Sequence, residues 1–127
     1  MLKKIVNPPQ APQPIGPYNQ AVIISNLVYT SGQIAIDPKA KEMCAAGVTE
    51  QTRLVLTNLK AVLEGAGSSL NHVIKATVFL KNMNDFQAMN SVYGEFFDPK
   101  TAPARSTIEV ARLPKDALVE IEAVAAI

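Results

Sequence analysis

Only two stretches of this 127-residue sequence repeat their apolar residues with a helical period, and both lie among segments that read as strands. The first, residues 48–64, lines up Val55, Leu56, Leu59, Val62 and Leu63 as a stripe and leaves Arg53, Lys60 and Glu64 outside it. The second, residues 85–97, has an apolar side made of Phe86, Met89, Tyr93, Phe96 and Phe97. Strand-like segments fall at 2–6, 20–24, 27–31, 73–81, 104–111 and 117–127. That order predicts an α+β fold, a mixed sheet of about six strands in one domain spanning residues 1–127. Two helices cover only one face of such a sheet. By parity Phe79 and Val124 fall on the other face, which is too apolar for water and so predicts a second subunit over it.

The punctuation between elements is specific. Residues 7–17, NPPQAPQPIGP, hold too many prolines for helix or sheet interior and read as an ordered extended loop. Asn26 and Asp37-Pro38-Lys39 mark turns. Thr49 is the expected cap of the first helix, and Gly65 and Gly67 its stop. Asn84 with Gln87 resembles a capping box for the second, which Asp98-Pro99 ends. In 73–81, alternation puts Ile74, Ala76, Val78 and Leu80 on one face. Residues 104–126 read as a hairpin that turns at Arg112–Asp116.

Charge and residue scarcity exclude several functions. Twelve basic and 11 acidic residues give a net charge of +1 with no basic block, which argues against nucleic acid or a membrane surface as partner. No apolar run approaches the ~20 residues of a spanning helix. The start MLKKIVNPPQ lacks the apolar segment of a signal peptide, so a cytoplasmic location is expected. Cys44 is the only cysteine and His72 the only histidine, too few for a recognisable zinc site and poor material for a nucleophile triad. Cys44 reads as a bystander. No glycine-rich phosphate loop is present, and neither metal nor cofactor is expected.

The C-terminal strands carry the charges that matter. In 104–111, Ser106, Ile108 and Val110 are in phase, and Arg105, Thr107 and Glu109 oppose them. In 117–127, Val119, Ile121, Ala123 and Ala125 oppose Leu118, Glu120, Glu122 and Val124. Taking Ile108 as a core residue puts Arg105 with Glu120 and Glu122 on the face expected to be buried between subunits. A buried charge is costly unless it has a partner or a ligand. Two readings follow: an interfacial ion pair of Arg105 with either glutamate, or a pocket in which Arg105 receives a carboxylate and a glutamate moves protons. Tyr18 after the proline loop reads as a packed lid, Ser31-Gly32 as a strand end, and Asn90 as an ordinary helical residue.

The motifs favour the pocket over the ion pair. IGPYNQAV at 15–22, YTSGQI at 29–34, LEGAG at 63–67, VIKATVFLKNMNDF at 73–86, MNSVYGEFF at 89–97 and PARSTIEVARLPKDALVEIEA at 103–123 closely resemble the RidA (YjgF) family of reactive-intermediate deaminases, over nearly the whole chain and in order. The resemblance implies a chorismate-mutase-like unit in which three subunits close their sheets into a central barrel, with pockets at the subunit boundaries. It makes Arg105 the carboxylate-binding residue and Glu120 the acid that positions and activates water. It adds Tyr18, Ser31, Gly32, Asn90 and Thr107 as substrate-binding positions, Gly32 and Thr107 acting through their backbones. Thr107 departs from the Cys that many members carry there, which puts any thiol-dependent activity at that position in doubt but not hydrolysis.

The implied reaction is hydrolysis of 2-iminobutanoate and 2-iminopropanoate to 2-oxo acids and ammonia, with Glu120 and the Thr107 carbonyl holding the water. An alternative is a regulatory module that senses 2-oxo acids through the same pocket. A third reading, ribonuclease or translation inhibitor, is attached to some family members, and the near-neutral charge argues against it.

Overall fold

The computed structural model describes residues 2–127. Three short strands, β1 (Lys4–Val6), β2 (Ala21–Ile24) and β3 (Leu27–Thr30), form an antiparallel meander. The β2–β3 turn is Ser25-Asn26, with Ser25 at φ 53°. Helix α1 (Val48–Gly65) follows, then β4 (Val73–Leu80), helix α2 (Phe86–Phe96), β5 (Ala104–Glu109) and β6 (Val119–Ala126). The sheet order is β1-β2-β3-β6-β4-β5, and β4–β5 is its parallel pair. The expected α+β architecture, with a six-stranded mixed sheet and two helices, is what forms.

The helical stripe builds the core. Val55, Leu56, Leu59, Val62 and Leu63 are all fully buried, against Val119, Ile121, Ala123 and Ala125 of β6 and Ala76, Val78 and Leu80 of β4. Burying a side chain of this kind contributes roughly 1.5–3 kcal/mol, so the five residues of this stripe contribute heavily to stability. Helix α1 ends as its glycines predict. Gly67 takes φ 83°, and the Ser68 and Gly67 amides donate to the Leu63 and Glu64 carbonyls at 2.9 and 3.1 Å.

Buried amides fasten the loops that border the sheet end. Gln51 donates to the Cys44 carbonyl (3.1 Å) and accepts from the Leu118 amide (2.9 Å), while Asn58 donates to the Ile36 carbonyl (2.8 Å). Gln20, 1% exposed, donates to the Pro12 carbonyl at 2.5 Å and so pins the proline-rich loop, as the sequence leads one to expect of an ordered segment. Pro8 sits directly on Gly65, where a Cβ would meet the proline ring at 2.5 Å.

Several expectations need correction. Residues 104–126 do not form a hairpin: β4 lies between β5 and β6. The connection over residues 110–118 passes across the end of β4. There the Val110 amide donates to the Leu80 carbonyl (2.9 Å) and the Lys81 amide to the Leu118 carbonyl (3.1 Å). The facing of β5 is also reversed. Its register pairs Arg105 with Ala76 and Thr107 with Val78, so Arg105, Thr107 and Glu109 face the helices and Ile108 faces the bare side, 46% exposed. Apolarity misleads here because β5 is an edge strand beside α2, outside the packed centre. In β4 a register shift between Val73 and Lys75 turns Val73 inward and leaves Ile74 50% exposed. Gly47, not Thr49, caps α1. No Asn84–Gln87 box forms, and instead the Asn82 side chain accepts from the Asn84 amide.

Candidate functional site

Glu120 stands on the bare face of β6, opposite Phe79, at the edge of a cleft of about 530 Å³. Four of the seven candidate residues meet there: Tyr18, Ser31, Gly32 and Glu120. Their convergence has a local cause. After β3 the chain forms one more bridge to β6, the Gln33 amide donating to the Ile121 carbonyl at 2.8 Å and the Ile121 amide returning a bond of 3.1 Å. That bridge lays Gly32 against Glu120, so that a Cβ at Gly32 would lie 2.9 Å from the Glu120 Cγ. Ser31 is held by its hydroxyl donating to the Asn19 carbonyl (2.6 Å). Tyr18 folds back over a turn at Gly16, φ 109°, with its hydroxyl accepting from the Ile15 amide at 3.4 Å.

The electrostatics of the cleft suit proton transfer. The Glu120 carboxyl has no hydrogen-bond or ion-pair partner among the described residues. Partial burial pushes its pKa above the ordinary carboxylate value, and the charge of Glu122 pushes it further. Ile34 and Lys115 also line the cleft; both lie within the quoted motifs, but neither is among the seven candidate residues. Lys115 gets there through a left-handed backbone, φ 55°, in the turn that crosses β4. Nothing in the sequence pattern announces that conformation.

Arg105 and Asn90 lie elsewhere. Arg105 Nη1 donates to the Asn90 Oδ1 at 2.7 Å, and its guanidinium carbon sits 4.6 Å from the Tyr93 ring centroid and 5.5 Å from that of Phe86. No carboxylate pairs with it among the described residues, so the Arg105–glutamate ion pair does not form within the chain. Arg105 and Glu120 are two strands apart, roughly 10 Å across the sheet, offset by three residues of β4, roughly another 10 Å along it, and on opposite faces. Thr107 follows Arg105 on the same face of the edge strand, partly buried. One chain therefore holds two separate polar clusters: a carboxyl without a partner in a cleft, and a guanidinium with one amide partner and no acid, among the described residues.

Fold and clusters together define a two-layer α+β protein with two separate polar clusters. The family described as endoribonuclease L-PSP matches residues 8–127. RutC family protein slr0709 of Synechocystis is 56% identical over 98% of this chain and 97% of its own length. A 2-iminobutanoate/2-iminopropanoate deaminase of Dermatophagoides farinae is 47% identical over 98% of this chain and 97% of its own. The crystal structure of Escherichia coli TdcF with bound serine is 48% identical and superposes with a TM-score of 0.91, covering 98% of each chain. The chain belongs to the RidA (YjgF) family.

Proposed function

We propose that this protein hydrolyses reactive 2-imino acids, 2-iminobutanoate and 2-iminopropanoate, to 2-oxo acids and ammonia. The observation that carries the reading is Arg105: a partly buried residue whose guanidinium leaves its Nε–Nη2 edge without a hydrogen bond among the described residues and whose charge no acid neutralises. A planar carboxylate fills such an edge with two parallel bonds. Glu120, with its raised pKa and free carboxyl, supports the proton work. The Dermatophagoides relative bears the name of this activity.

The two clusters meet in this proposal at a subunit boundary, where the β5 edge of one copy, which carries Arg105, reaches the Glu120 cleft on the bare face of the next. We place them in a cytoplasmic homotrimer whose sheets close into a chorismate-mutase-like barrel, with Arg105 of one subunit opposite Glu120 of the next. Tyr29 and Ile108, each 46% exposed on the bare face, are the apolar surface such closure would bury. Arg105 fixes the substrate carboxylate and Asn90 steadies the guanidinium. Water adds to the electrophilic imine carbon and Glu120 accepts its proton. The resulting carbinolamine then takes that proton back from Glu120 on its nitrogen. The oxygen lone pair forms the C=O bond as the C–N bond breaks, the hydroxyl proton passes to Glu120 and on to solvent, and the oxo acid and ammonia leave. Gly32 gives Glu120 room, Tyr18 and Ser31 border the ligand, and Thr107 offers backbone on the open edge of β5. General acid–base help of about 10²–10⁴-fold suffices, because imines also hydrolyse unaided.

The scheme uses no metal, cofactor, nucleic acid or membrane. Among the described residues no helix is long and apolar enough to cross a membrane. A coupled assay tests the reading. Threonine dehydratase generates the imine, semicarbazide competes for it, and the protein is added. Accelerated 2-oxobutanoate release at the expense of semicarbazone supports the proposal. Binding of 2-oxobutanoate without acceleration favours a sensing module.

A further inference from the structure

Arg105 raises a physical problem. A guanidinium on an edge strand has four rotatable side-chain bonds, and the usual way to fix it, a carboxylate partner, would cancel the charge a substrate needs. We propose that Phe86 and Tyr93 are positioning residues whose ring faces hold the Arg105 guanidinium in place while leaving its charge unspent. The proposal rests on Arg105 being the substrate-carboxylate residue and extends the site to two aromatic side chains.

The geometry is built by α2. Phe86, Asn90 and Tyr93 stand at i, i+4 and i+7 and so share one helix stripe. That stripe faces Arg105, with the guanidinium carbon 4.6 Å from the Tyr93 centroid and 5.5 Å from the Phe86 centroid. Both distances are within the range of cation–π attraction. Asn90 takes one N–H at 2.7 Å and leaves the opposite edge of the plane open. All three neighbours are uncharged. The Tyr93 hydroxyl stays protonated, because burial raises its pKa more than the nearby Arg105 charge lowers it.

Tyr93 itself cannot wander. It is 6% exposed and stacks on Phe97, ring centroids 4.5 Å apart and planes inclined by 30°. Its hydroxyl is buried without a hydrogen-bond partner among the described residues. The fold therefore uses the face of this ring and gains nothing from its oxygen, so a phenylalanine should serve as well. Phe86 is only partly buried and can be changed with less risk to the core.

Three variants, Tyr93→Phe, Tyr93→Leu and Phe86→Leu, are compared with the parent by three readouts. These are calorimetry with 2-oxobutanoate, kcat and KM in the coupled imine assay, and the NMR resonance of the Arg105 Nε–Hε group, assigned by its loss in Arg105→Lys. Ring currents from two faces should set that resonance apart from those of the other arginines. Tyr93→Phe should match the parent in all three. Each leucine variant should weaken 2-oxobutanoate binding and raise KM by about three- to thirtyfold, with a smaller change in kcat. Each should also move the Arg105 resonance toward that of a solvated arginine. Leucine variants with parental affinity, parental KM and an unmoved resonance would overturn the proposal, and so would a Tyr93→Phe variant as impaired as Tyr93→Leu. If Tyr93→Leu fails to fold, Phe86→Leu decides. The resonance needs no ligand, so a parent that fails to bind 2-oxobutanoate contradicts the functional reading while the spectra still judge the cradle.

Discussion

Glu120 folds its carboxyl over the bare α-carbon of Gly32, so closely that a methyl group there would lie 2.8 Å from the carboxyl carbon. The Gly32 backbone has no left-handed conformation to demand glycine. The constraint is the neighbour, and the neighbour is the free end of a flexible side chain. Gly32→Ala should therefore fold and assemble normally but push the Glu120 carboxyl aside, lowering kcat by at least about tenfold. Gly65→Ala is the contrast, because its methyl would meet the rigid Pro8 ring at 2.5 Å. It should cost about 1–3 kcal/mol in stability. Thermal melts and the imine assay on both variants separate the two effects.

The pH dependence of turnover should report Glu120. Its pKa is raised first by burial and then by Glu122. The acid limb of kcat/KM should consequently lie above the usual carboxylate value of about 4.3. Glu122→Gln removes the second cause and should move that limb downward without abolishing activity. The stability sign runs opposite to activity. A carboxyl whose pKa is raised on folding favours the native state while it is protonated, and that contribution is lost as pH rises through the raised value. Glu120→Gln should therefore melt at least as high as the parent at neutral pH while losing most turnover. The two melting curves should converge in acid.

Arg105 is tested by its geometry. Arg105→Lys keeps the charge but not the planar edge, and it cannot lie between the Phe86 and Tyr93 faces as a guanidinium does. Loss of one charge-assisted bond costs roughly 1.5–3 kcal/mol, about ten- to a hundredfold in kcat/KM. Arg105→Ala should lose more, together with 2-oxobutanoate binding by calorimetry. Parental binding in Arg105→Ala would place the carboxylate elsewhere.

The elements were largely legible because their signals are local. The stripe Val55, Leu56, Leu59, Val62 and Leu63 is buried as its spacing predicts, and Gly67 stops the helix as a left-handed residue. What the sequence hid was pairing. Two strands joined by nine residues look like a hairpin, and only the sheet order reveals β4 between them. That insertion, together with the reversed facing of edge strand β5, separates Arg105 from Glu120 onto opposite faces. Parity had grouped them, because Ile108 looked like a core residue and is instead half-exposed on the bare side. Tyr18, Ser31, Gly32 and Glu120 do converge, and their motifs pointed to each of them. Lys115 was missed because its left-handed turn has no glycine to mark it. Phe86 and Tyr93 passed for plain core because helical spacing does not say what a ring faces.

The central claim is that Arg105 and Glu120 act on one ligand from two copies of the chain, and subunit mixing tests it most directly. Arg105→Ala and Glu120→Gln, each nearly inactive alone, are unfolded together and refolded as a mixture, with subunit exchange confirmed by native mass spectrometry. In a closed ring each mixed trimer regains one site with an intact Arg105 and an intact Glu120. An equal mixture should therefore recover about a quarter of the parental imine deaminase activity. A mixture that exchanges subunits fully and stays as inactive as its components would contradict the account, because both residues would then have to serve within one subunit.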